Sequence, residues 1–216
     1  LTMDPARTDG PAARSHLAAH GWIARDAEAF RHLPPPDAAL WLGELEPKPS
    51  DAAPAADWDV AMPAPASAGD VDVRRLDAAD PAQRRELLAG LPLPGGDAAA
   101  PFAWAHRALL RQGLRLTVRP AADGSERVLH VRRRGDAVEA PLLVVDLMPG
   151  ARCMLLETHE AGDASTRCAS VQNLQVHVLA GERSSMRHLR VALPDARDRI
   201  AQHVHVRLGE AELRAG

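Results

Sequence analysis

Tyrosine is missing from this 216-residue chain, phenylalanine and cysteine occur twice each, and Lys48 is the only lysine. Each scarcity excludes something. Two cysteines, Cys153 and Cys168, cannot make a disulfide framework, and iron–sulfur ligation generally wants four thiolates or a close substitute. No aromatic side chain follows Trp104, so the second half has no rings with which to stack a sugar. No apolar run reaches the length of a membrane-spanning helix, and the N-terminus lacks the charged, apolar, small-residue order of a signal peptide. The expectation is a soluble, cytoplasmic protein. A net charge of -3 gives no reason to expect nucleic acid or an anionic membrane as a partner. The one basic run, Arg132-Arg133-Arg134 beside Gly135, reads as a solvated loop. There is no Gly-rich loop ending in Lys-Ser or Lys-Thr, no Gly-x-Ser-x-Gly element and no His-Glu-x-x-His helix, so nucleotide and hydrolase readings have no motif behind them.

What is present divides the chain into four parts. Residues 1–46 read as a small helical region: Pro11 suits a first turn, Gly21 a stop, and a second short helix covers Asp26 to His32 before Pro34, Pro35 and Pro36. Residues 47–79 are rich in Pro, Ala and Asp, the composition of a linker or loop. Residues 80–113 hold two helices. Asp80 caps the first, with Pro81 at its start, Gln83 completing a capping box and Gly90 as the stop; Pro101 opens the second, which Gly113 ends. The four tryptophans, Trp22, Trp41, Trp58 and Trp104, read as anchors of the helical region.

From 114 to 216 the period changes to alternation. Leu114, Leu116 and Val118 alternate with Arg115, Thr117 and Arg119; Asp123-Gly124 is a turn and Val128 to Val131 the next strand. Three later segments resemble one another, each an apolar strand closing on glycine: Leu142 to Gly150, Leu174 to Gly181 and His203 to Gly209. The Gly-to-Gly spacings are 31 and 28 residues, which suits the coils of a β-solenoid. Alternation then puts Leu174, Val176, Val178, Val204, Val206 and Leu208 inside the coil, and Gln175, His177, His203, His205 and Arg207 outside. An antiparallel sandwich would carry Asn-Gly or Asp-Gly hairpins between these strands, and none occurs. The fold expected is mainly β, a right-handed parallel β-helix behind a small helical N-terminal region.

A family resemblance enters on three stretches. Pro101 to Leu114 (PFAWAHRALLRQGL) resembles the segment that leads into the β-helix of the SufB/SufD family. Val171 to Glu182 (VQNLQVHVLAGE) resembles a coil of that family, with Met186 to Val191 like the strand that follows it. Gly21 to His32, with Arg25, Glu28, Ala29, Phe30 and Arg31, is similar to a motif of SufD rather than SufB. Ile23 stands where that motif usually has Pro, Phe30 where it has Trp, and Ala105-His106 where the family has Leu-Asn. The resemblance implies a scaffold rather than an enzyme, working in iron–sulfur cluster assembly with a SufB-like partner and a SufC-like ATPase. In the family that ATPase docks on a C-terminal region beyond Gly216, and a cluster forms only in the full complex. It assigns no catalytic, cofactor or metal residue to this stretch. Two alternatives stand beside it, a β-helix carbohydrate enzyme and a generic solenoid interaction module. A coil left open at Gly216 would expose backbone and apolar edges, so self-association or marginal stability is expected.

Three constellations remain. His203 and His205 share one face of a strand and could share a metal, but no third or fourth ligand stands at a telling spacing, and solvent-facing residues are the simpler reading. Cys153 and Cys168 flank Glu157, His159, Glu160 and Asp163; Cys153 reads as lining the coil or packing beside Met154. Glu157 and Glu160 resemble the carboxylate pair of a polysaccharide-cleaving β-helix, without the aromatic groove such an enzyme uses.

Overall fold

A computed structural model describes residues 10–24, 26–32, 37–44, 57–62, 69–95, 100–135, 138–161, 170–194 and 198–209. In chain order the elements are α1 (Gly10–His20), a 3-10 turn (Glu28–Phe30), α2 (Ala38–Trp41), β1 (Asp57–Ala61), β2 (Val71–Asp77), α3 (Pro81–Leu88), α4 (Ala100–Leu109) and β3 (Gln112–Val118). Then follow β4 (Arg127–Gly135), β5 (Val138–Glu139), β6 (Leu142–Leu147), β7 (Arg152–Ala161), β8 (Val171–Ala180), β9 (Ser185–Ala192) and β10 (Arg199–Leu208). The protein is mainly β. No helix among the described residues is long and apolar enough to cross a membrane.

From β3 onward the main strands alternate between two sheets. One has four strands in the order β1-β4-β7-β9, the other the order β10-β8-β6-β3-β2, with β5 pairing β8. Pairing from β3 onward is parallel within each sheet, and β1 and β2 close the far edges antiparallel. Side chains facing inward from both sheets meet in one core: Leu114, Leu116 and Val118; Leu143, Val145 and Leu147; Val176 and Val178; and, across from them, Leu129, Val131, Cys153 and Leu155. Period-two alternation is what lets each strand give one row to this core.

Register corrects the repeat read from glycines. Leu147 pairs with Ala180, so Gly181 stacks on Met148, and Gly150 falls level with Arg183. Both of these residues have positive φ, 76° for Gly150 and 56° for Arg183. The two turns are copies: Ala151 N donates to Met148 O, Ser184 N to Gly181 O, and they are joined by Gly150 N to Glu182 O. A Cβ on Gly181 would come within 2.7 Å of Leu147 O and Pro149 N, so that glycine is required by close stacking.

Several local expectations hold. Gly21 ends α1 with φ of 82°, and its N–H donates to Leu17 O. Asp80 accepts from Ala82 N and Gln83 N at the start of α3, and Gly90 follows that helix with φ of 77°. Others change. Gln83 reaches back to Asp77 N rather than to its own cap residue. Residues 26–32 form only the 3-10 turn, and Pro34 to Pro36 lie outside the described residues. Gly113 does not stop α4, which ends at Leu109; it lies in β3 where a Cβ would collide with the side chain of Leu87. Within 47–79, read as linker, Asp57–Ala61 and Val71–Asp77 are strands, because each finds an open edge, β4 and β3 respectively.

The helices lie on the outer face of the six-stranded sheet. Leu87 of α3 packs with Leu76, Ala78, Leu110, Leu142 and Val144. Arg115, bidentate to Asp146 at 2.6 and 3.0 Å, also donates to the carbonyls of Glu86 and Ala89 at the end of α3. Ile23, Trp41, Phe102 and Val171 form a third cluster that seats the N-terminal segments.

Candidate functional site

The basic run is not a solvated loop. It lies in β4, where alternation sends Arg132 outward to Asp59 at 3.0 Å and turns Arg133 into the space between the sheets, 1% exposed. There Arg133 pairs with Glu139, donates to Gln172 Oε1 at 3.2 Å and lies 5.7 Å from the ring centre of Trp58. Trp58 therefore belongs to the strand core and not to the helical region. An arginine can occupy such a site because carboxylate, amide and ring face together replace its water.

Beside it, on β7, Glu157 is 1% exposed. Its carboxylate accepts from His159 Nε2 at 2.6 Å, His188 Nε2 at 2.9 Å and Arg190 Nε at 2.9 Å. Burial opposes the charge, but these hydrogen bonds and the Arg190 guanidinium hold the carboxyl well below the usual carboxylate range. The neighbours come from register: Leu155 pairs with His188 and Glu157 with Arg190. All three donors converge on one carboxylate, an arrangement that neutralises its charge. Glu160's side chain, Asp163 and Cys168 lie outside the described residues. Cys153 lies fully buried in the core between the sheets, and burial pushes its thiol up to about 12, which disfavours the thiolate.

The second constellation is on the outer face of the six-stranded sheet. Register builds two columns there: Leu142, Gln175, His203, and Val144, His177, His205. His177 and His205 stack with centroids 4.7 Å apart and planes 9° apart, and His203 follows at 6.3 Å from His205. His203 and His205 do face outward, as alternation required. Gln175 and His177 face outward too, yet they are buried, because α4 and the 91–95 segment cover them. Burial, with His205 and Arg107 nearby, drives His177 down to about 3. His106 on α4 is fully buried, donates from Nε2 to Pro141 O at 3.1 Å, and burial likewise takes it to about 3.

An inner cleft of about 70 Å³ opens between Pro92, Pro94, Ala103, Arg107, Gln175 and His203, and a neighbouring hollow of about 440 Å³ shares Pro92, His177 and His205 with it. Among the described residues no group of three or more His, Cys, Asp or Glu side chains is placed to hold a metal ion. Sequence reading missed His177 and Gln175 as site residues; the 28-residue step from His177 to His205 is the signal that would have put ring on ring.

No family model, no curated protein and no solved structure matches the chain.

Proposed function

We propose that this protein is a SufD-like scaffold component of iron–sulfur cluster assembly, its strands the coils of a right-handed parallel β-helix, acting through contacts with a SufB-like protein and a SufC-like ATPase rather than by catalysis of its own. One observation carries the reading. The three stretches that resemble the family converge on Phe102. Asn173, in the coil-like stretch, donates from Nδ2 to Phe102 O at 2.7 Å. Trp22 and Phe30, in the N-terminal stretch, meet the Phe102 ring at 5.3 and 6.5 Å, and Ile23 packs in the same cluster. Segments far apart in sequence that carry one family's pattern thus form one joint, as they would if the pattern recorded a shared fold. Ile23 and Phe30, the departures, fill that joint with apolar volume in place of the usual residues. His106 fills its own place with a buried hydrogen bond.

Co-purification of the native gene product with its genomic neighbours tests this. Recovery of a SufB-like protein and an ATPase, with iron–sulfur absorbance in the complex, is the expected result. Recovery of the protein alone, with neither partner nor iron, would refute it.

A further inference from the structure

The scaffold reading leaves the histidine-lined cleft unused, and the inference drawn from it is independent of that reading. We propose that the cleft between the 91–95 segment, α4 and strands β8 and β10 is a binding site for an oxyanion, taken up free or as the carboxylate or phosphate group of a small molecule that extends into the adjoining hollow.

Its chemistry is one-sided. The polar side chains lining the two hollows are Arg107, Gln175, His177, His203, His205 and Arg207, and no described lining residue is acidic. Each offers a donor or a positive charge, which a ligand bearing acceptors and negative charge would meet. Gln175 is the sharpest indicator. It is 5% exposed, its Oε1 accepts from His177 Nε2 at 3.2 Å, and its Nε2 has no hydrogen-bond partner. A buried amide N–H left unpaired is destabilising, and an acceptor placed in the cleft would satisfy it. At about 70 Å³ the inner space exceeds the roughly 30 Å³ share of one water, enough for a compact oxyanion, and the 440 Å³ hollow beside it takes the remainder of a larger ligand.

Geometry argues against a metal ion here. The stacked rings of His177 and His205 turn faces, not nitrogens, toward each other. An anion would also reverse the local electrostatics. With the cleft empty, burial and then the charges of Arg107 and the neighbouring imidazoles oppose protonation of His106 and His177; an anion among them favours it. Binding is therefore proton-linked and tightens as pH falls below the ordinary imidazole value of about 6.5, because the anion raises the depressed His177.

The test is a titration of the intact protein with inorganic phosphate, and in parallel with acetate, following imidazole resonances by NMR and heat by calorimetry at about pH 6 and about pH 8. Saturable shifts of His177, His203 and His205, with tighter binding at the lower pH, are expected; which anion saturates first identifies the preferred group. His205→Asn, an exposed position that can change without opening the core, and Gln175→Leu should each weaken binding by about tenfold. If Gln175→Leu does not fold, His205→Asn alone decides. Unshifted imidazoles in both titrations, an affinity that His205→Asn leaves unchanged, or saturation by zinc ion with none by either anion would overturn the proposal.

Discussion

Strands β8 and β10 run parallel in one register, carry the same alternation, and have opposite surroundings. Val176 is 1% exposed and its partner Val204 54%; Val178 is 5% exposed and its partner Val206 59%. β8 has β6 on one side, β10 on the other, the inward row of the four-stranded sheet beneath it and α4 above. β10 has β8 as its one strand partner among the described residues, and none of these covers the inward row of Val204 and Val206. The lesson is that a strand's pattern gives the direction of each side chain, while burial is supplied by whatever lies next to it. The same contrast separates Arg132 from Arg133: adjacent in sequence, one at the surface and one enclosed.

The comparison can be broken by substitution. Glu157→Leu should have the largest effect, about 3–5 kcal/mol of lost stability by urea unfolding, since it strands Arg190 and two imidazoles in a space that has excluded water. Val176→Ala should cost about 2–3 kcal/mol, from lost apolar transfer and a residual cavity, whereas Val204→Ala should stay within about 0.5 kcal/mol. Equal losses in the two valine variants would mean that β10 is covered as β8 is.

Acid sharpens the contrast between enclosed and open histidines. His106 and His177 titrate at about 3 in the folded chain, against an unfolded value near about 6.5. The unfolded chain therefore binds more protons between those limits. Stability holds above about pH 6.5 and falls as pH drops toward 3, by up to about 1.4 kcal/mol per pH unit for each imidazole. Glu157, whose pKa is depressed, adds a further loss once pH falls below its unfolded value near about 4.3. Replacing His177 with Gln should flatten the first part of that slope in urea midpoints measured across the range. An unchanged slope would mean that His177 is protonated in the folded state. The smallest effect is expected at a helix end, where Asp80→Ala should cost about 1 kcal/mol by removing the acceptor for Ala82 N and Gln83 N.

Alternation made the inward row of the later strands readable: Leu114, Leu116, Val118, Val176 and Val178 are core as the period requires. It could not show that β8's other row is core too, because the cover comes from α4, some seventy residues earlier, through contacts such as Asn173 to Phe102. β1 and β2 were obscured for a related reason. Proline and alanine around them read as linker, and it is the free edges of β4 and β3 that make them strands. Glycine spacing gave the repeat but not its register, since Arg183 occupies the positive-φ corner that Gly150 holds one turn earlier. The cleft depends on two strands meeting in register and was legible only as His203 and His205, two of its three imidazoles, His177 being the third.

Amide hydrogen exchange read strand by strand tests the central claim, that enclosure by neighbours sets the stability of each rung. Amides of β8 should exchange only with global unfolding, and those of β10 that face away from β8 should exchange orders of magnitude faster. Equal protection along both strands would contradict the account.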